Sequence, residues 1–260
     1  MKEGIYMNFN RNDYNNNRYD TGFDSGFNHY GVSAYQTGAA GMTMADFSRK
    51  VYAWMAAGLS ITFILGFAIQ NMLTLALIEQ FMPVYFASVI LELVMVFVLG
   101  FFIYKLPSTV SLILFLVYSV CNGITISPTL MLAGADKAIY AFAATALLFG
   151  AFSIYGLITK RDLTKLRPIL LIGLIVLLVF AVLGMFFHME AVDLGISLLG
   201  IAIFIGFTAY DTQKIKKGYE YFSGDSEMLR KSAINIALEL YLDFINLFLY
   251  ILRLFMRNSR

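Results

Sequence analysis

Cysteine, histidine, proline and charge are all scarce in this chain of 260 residues. A single cysteine, Cys121, excludes an intrachain disulfide and any cysteine-based metal site. The two histidines are His29, in the polar N-terminal stretch, and His188, between apolar blocks. Neither Gly-x-Ser-x-Gly nor His-Glu-x-x-His occurs, so serine and zinc hydrolase chemistry has no footing. Charged residues make up 14% of the chain, where a soluble domain carries about a quarter. The net charge of +2 comes with no basic cluster interleaved with stacking aromatics, which argues against a nucleic-acid partner. No cleavable signal peptide is expected, because the first apolar run begins near Val51, too far in and too long.

What is abundant is apolar: 59% of the residues, arranged in long blocks. Residues 1–45 are the exception, rich in Asn, Tyr, Gly, Asp and Phe, and read as a disordered tail whose protein partners are unknown. Residues 46–260 read as one polytopic all-α membrane domain. Seven spans of about the length a bilayer needs are placed at 52–72, 84–104, 108–132, 138–158, 169–187, 194–210 and 234–254. Pro83, Pro107 and Pro168 sit just before or at span starts, where a missing N–H does no harm. Pro128 lies inside the third span, where neighbouring Asn122 and Ser127 can satisfy the freed backbone.

Lys and Arg concentrate before span one and in alternate loops, with Lys160, Arg161, Lys165 and Arg167 between spans four and five. The positive-inside rule then places the N-terminus in the cytoplasm. Seven full crossings put the C-terminus outside, yet Arg253, Arg257 and Arg260 favour the inside. Either the rule is overruled there or the last segment does not fully cross.

That last segment, NIALELYLDFINLFLYILR at 235–253, carries a polar stripe. Asn235, Glu239, Asp243, Asn246, Tyr250 and Arg253 fall within an arc of about 80° on a helix. A carboxylate near the bilayer centre costs at least ~2.5–3.5 kcal/mol, so the stripe must face other helices or water. Asp211 ends the sixth span and Glu92 lies in the second. No clear intramembrane cation is available to these acids; only Lys105 and Arg253 lie close to span ends. Some of the acids should therefore be protonated or share a proton.

LYLDFINLFLYILRLF at 241–256, GFTAYDTQKIKK at 206–217 and GITISP at 123–128 resemble the Bax inhibitor-1 family of membrane proteins, in its bacterial branch. The resemblance covers all seven spans but not the tail. It implies six helices wrapped around a central seventh, and a bacterial inner membrane as the location. It also implies a pH-sensitive pair, here Asp211 and Asp243, that controls calcium leak and offers calcium a weak site. Glu92 matches the family's second-helix Glu and, with Glu239 and Asn246, is a candidate for contact with the ion. The Arg that bacterial members can carry further along that helix is replaced here by Ile103, which leaves Lys105 as the nearest candidate cation. No resident cofactor is implied; calcium and protons are cargo and regulator.

A ruler along the helices strains the pairing. With Lys214 and Lys231 at the inner interface, Asp211 lies ~5 Å deep and Asp243 ~18 Å deep. For the two to meet, helix six must run on to about Lys217 and helix seven must begin in the cytoplasm. The alternatives are an intramembrane aspartyl protease, which also sets two acids on adjacent spans, a proton-coupled transporter, and a non-conducting membrane regulator. Against the protease, Asp243 follows Leu-Tyr-Leu rather than Gly-x-Gly, and no Pro-Ala-Leu occurs later. No enzymatic activity is expected.

Overall fold

The structure is a computed structural model that describes residues 41–74, 77–187 and 190–257; of residues 181–182, 184–187 and 190–193 it describes the backbone alone. The tail up to residue 40, His29 and His188 fall outside the described residues. Seven α-helices follow in order: α1 Met44–Met72, α2 Ile78–Phe102, α3 Ser108–Ala133, α4 Ala135–Ile158, α5 Arg167–Phe187, α6 Glu190–Phe222 and α7 Ser226–Arg257. A short 3-10 turn, Leu163–Leu166, precedes α5, and no strand occurs among the described residues. Each of the seven helices is long and apolar enough to cross a membrane, so the chain is a multi-pass integral membrane protein.

The helix ends depart from the span estimates for identifiable reasons. α1 starts eight residues early because the Thr43 hydroxyl accepts from the Asp46 amide at 3.1 Å, an N-cap in the Thr-x-x-acid pattern. α7 starts at Ser226 because Asp225 accepts from the amides of Glu227 and Met228 at 2.9 and 3.0 Å. α6 runs to Phe222, because nothing between Asp211 and Phe222 breaks a helix except one tolerated glycine. At ~1.5 Å per residue both α6 and α7 are near 50 Å long, well beyond the ~30 Å hydrocarbon layer. α2 also begins earlier than estimated, at Ile78, so Pro83 lies inside it rather than at its start. Pro128 sits within a continuous α3. The carbonyl it leaves free four residues back, that of Ile124, accepts from the Ser127 hydroxyl at 2.8 Å.

The apolar side chains divide between inside and outside. Phe86, Ile90, Leu93, Phe97 and Phe101 on α2, and Ile169, Ile172, Ile175 and Val179 on α5, are exposed, and only lipid can cover so much apolar surface. α7 is the most buried helix and packs chiefly on α1, α3, α4 and α6. α2 lies mainly against α3, and α5 against α6. Aromatic edges fill the space around α7: Phe63 meets Phe248 at 4.9 Å and Phe142 at 4.8 Å, and Phe115 meets Tyr241 at 5.5 Å.

Small residues set the closest helix approaches. A side chain at Gly66, Gly173 or Gly206 would press on Leu130 and Ile126, on Ile203, or on Leu170, as expected of glycines that admit a neighbour. Gly100 and Gly150 face open space. Comparably close approaches occur at Gly58, Gly123, Gly200 and Gly218, and the tightest at Gly156.

Candidate functional site

The acids of α6 and α7 converge because both helices extend past the hydrocarbon layer. On α6, Asp211, Lys214 and Gly218 lie on one face at spacings of three and four; on α7, Ser232, Ile236, Glu239 and Asp243 do the same at four, three and four. Gly218 lets the two faces close: a Cβ there would meet Ser232 Oγ at 2.8 Å and Ile236 Cδ1 at 3.1 Å. Two turns deeper along α6 from that contact, Asp211 and Asp243 are near neighbours, close enough to interact electrostatically. Both residues are buried, 5% and 4% exposed. α6 runs past Lys217, as the pairing requires, and α7 begins at Ser226, well before Asn235.

The expectation that no cation is at hand is corrected. Lys214 Nζ lies 2.8 Å from Asp211 Oδ1 and 2.9 Å from Glu239 Oε1, bridging the two helices, and 4.9 Å from the centre of the Tyr210 ring. The Asn235 amide donates to the same Glu239 oxygen at 3.3 Å. Hydropathy ends the sixth span at residue 210 and so makes a helical lysine look like a loop lysine. The signal was present in the Asp211–Lys214 spacing, which puts the two side chains on one helix face. Lys105, the cation candidate drawn from the sequence, is exposed at the end of α2 with its ammonium 5.5 Å from the centre of the Phe102 ring.

The site therefore holds three carboxyls and one ammonium. Glu239 Oε2 and Asp243 Oδ2 are buried with no hydrogen-bond partner. Such a cluster can exchange a proton, or its carboxylate oxygens can meet a passing cation. Among the described residues, no three carboxylate, imidazole or thiol groups converge as a metal centre.

The other candidates lie elsewhere. Glu92 accepts from the Thr125 hydroxyl at 2.8 Å, so its partner is on α3 rather than on α6 or α7. Asn246 donates to the Leu242 carbonyl of its own helix at 2.7 Å. Tyr250 stacks on Phe204, and Arg253 lies over Tyr250, so the outer half of the α7 stripe is satisfied separately from its inner half.

A buried network escaped the sequence reading entirely. Thr62 Oγ1 donates to the Ser119 carbonyl at 2.8 Å, so the Tyr241 hydroxyl, 2.6 Å away, donates to Thr62. Tyr241 is fully buried and ties α7 to α1 and α3 two residues before Asp243. On the loop side, Asp162 receives the Lys217 ammonium at 2.7 Å and the Thr164 amide at 3.1 Å, which hold its carboxyl well below the usual carboxylate range.

Residues 44–260 match the family described as "Inhibitor of apoptosis-promoting Bax1". The chain is 37% identical to the inner membrane protein YbhL of Escherichia coli strain K12 over 214 residues, covering 82% of this chain and 92% of YbhL. It is 35% identical to an uncharacterized membrane protein of Streptococcus pyogenes serotype M1 over 218 residues, covering 82% and 93% of the two chains. A protein of Borreliella burgdorferi matches at 35% over 208 residues, covering 80% and 90%. On this evidence the chain belongs to the Bax inhibitor-1 family.

Proposed function

We propose that this protein is a pH-regulated calcium leak channel of a bacterial inner membrane, with its N-terminus in the cytoplasm, gated by a proton shared between Asp211 and Asp243. The observation that supports the reading is the closeness of two buried aspartates, with one ammonium bound to two of the three acids. With the proton in place, Asp211 and Asp243 form a hydrogen bond that holds α6 against α7. Once it leaves, two anions face each other, and Lys214 has only one positive charge to divide among Asp211, Asp243 and Glu239. Like charges about 4 Å apart cost ~4 kcal/mol at an effective dielectric of ~20. That is enough to shift a closed-to-open equilibrium by roughly a thousandfold. The carboxylates then suit calcium, a hard cation that prefers oxygen ligands. Two or three of them, without a complete shell, bind it weakly enough to release it. Glu92, at its own site on α2 and α3, is a second carboxylate along the route.

The sign follows: deprotonation opens the path, so calcium flux rises with pH. The test is flux into dye-loaded proteoliposomes across pH for the wild type, Asp243→Asn and Asp211→Asn. A wild-type response that is lost in both variants supports the reading. Flux that is flat in the wild type, or an unchanged response in both variants, contradicts it.

A further inference from the structure

An open groove of about 370 Å³ lies at the basic end of the bundle, between the ends of α2, α5, α6 and α7. Arg167, Lys214 and Lys217 line it together with the Asn235 amide, and no carboxylate does. One wall is rigid: the rings of Tyr104 and Phe222 stack at 5.6 Å. The electrostatics are wrong for a cation and right for an anion. Lys214 is engaged from below by Asp211 and Glu239, and Lys217 from the side by Asp162. Arg167 is different. It is exposed, and no ion pair holds it among the described residues. A cation without an ion pair, on the rim of a basic groove, is free to meet a negative group that binds there. The groove lies between helix ends, and basic pockets between helices suit phosphate-bearing headgroups.

We propose that the groove bounded by Arg167, Lys217 and Asn235 binds the phosphate group of an anionic molecule, with Lys214 at its floor joining that phosphate to the carboxyl cluster. A phospholipid headgroup and free inorganic phosphate both present this chemistry. An occupant would compete with Asp211 and Glu239 for the Lys214 ammonium, so it would act on the acids without touching them. This inference stands apart from the calcium reading, because its test uses no flux.

The full-length protein, purified in detergent, is exposed to phosphatidylglycerol or phosphatidylcholine, and retained lipid is counted by native mass spectrometry. The wild type is expected to retain phosphatidylglycerol in preference to phosphatidylcholine. Arg167→Gln is expected to weaken that retention about fivefold, the usual effect of one basic residue on an anionic lipid. Lys165→Gln, a change of the same charge at an exposed residue outside the groove, is expected to behave as the wild type. Inorganic phosphate is then added in excess. If phosphatidylglycerol stays bound, the ligand is a lipid headgroup; if phosphate displaces it and protects the wild type but not Arg167→Gln from thermal unfolding, the ligand is free phosphate. The proposal is overturned if the wild type shows neither lipid preference nor phosphate protection, if Arg167→Gln retains lipid as the wild type does, or if Lys165→Gln loses as much.

Discussion

At Asp243, burial and chemistry point the same way: the side chain is enclosed, and one of its oxygens has no hydrogen-bond partner. Asparagine has the same shape and can still donate to Asp211. Asp243→Asn is therefore expected to fold normally, with a thermal midpoint in detergent close to the wild type, while losing the pH response of calcium flux. Lys214 acts in the opposite sense. Lys214→Met removes the only ammonium among the three acids, so their protons leave less readily, and the rise in flux is expected at more alkaline pH than in the wild type. A flux profile unmoved by Lys214→Met would count against the bridging role. Tyr241 offers a control outside the carboxyl cluster. Tyr241→Phe removes the bond to Thr62, which keeps its own bond to Ser119, so the expected loss of stability is about 1 kcal/mol. Denaturation in mixed detergent would measure it, with the pH response retained.

Helices α6 and α7 matter because they overrun the membrane, and that overrun was only half legible. The apolar runs marked seven helices and most of their outer ends. They could not mark where α6 stops, because Thr212, Gln213, Lys214, Lys216 and Lys217 are polar enough to read as loop yet are good or tolerable helix formers. The N-terminal turns of α1 and α7 were missed for a related reason: their caps, Thr43 and Asp225, lie in polar sequence where hydropathy carries no signal. The first turn of α7 has a further task that spacing could not reveal. Glu227 accepts from both the amide and the hydroxyl of Ser108 at 2.9 Å, capping α3 from another helix, while Lys231 donates to the Tyr104 carbonyl at 3.2 Å. Glu227→Ala should speed amide exchange across residues 104–111 while leaving the carboxyl cluster in place; unchanged exchange would deny the cap. The approach of α4 to α6 is set by Gly156, where even a methyl group would collide with the Ala209 carbonyl. Gly156→Ala is expected to cost ~1–3 kcal/mol by overpacking, seen as a lower thermal midpoint.

For the whole molecule, the membrane is the solvent, and the apolar faces of α2 and α5 are its outer coat. Long apolar runs declared that class at once, and the carboxyls of the last helix declared an unusual interior. What the sequence hid was distance: that Lys214 ties Asp211 to Glu239, and that Glu92 finds its partner on α3. Each depends on helix length and rotation in three dimensions rather than on residue type. Orientation can be tested directly. With Cys121→Ser as background, a cysteine at Lys160 is expected to react with a membrane-impermeant maleimide only after cells are opened; labelling of intact cells would reverse the topology. The central claim is that one proton between two aspartates sets the state of the path, and infrared difference spectroscopy on the same proteoliposomes used for flux tests it most directly. The account predicts a protonated-carboxyl band in the wild type that fades over the pH range in which calcium flux rises, and that is diminished in Asp243→Asn. Flux that rises while the band stays constant, or a band of full strength in that variant, would contradict it.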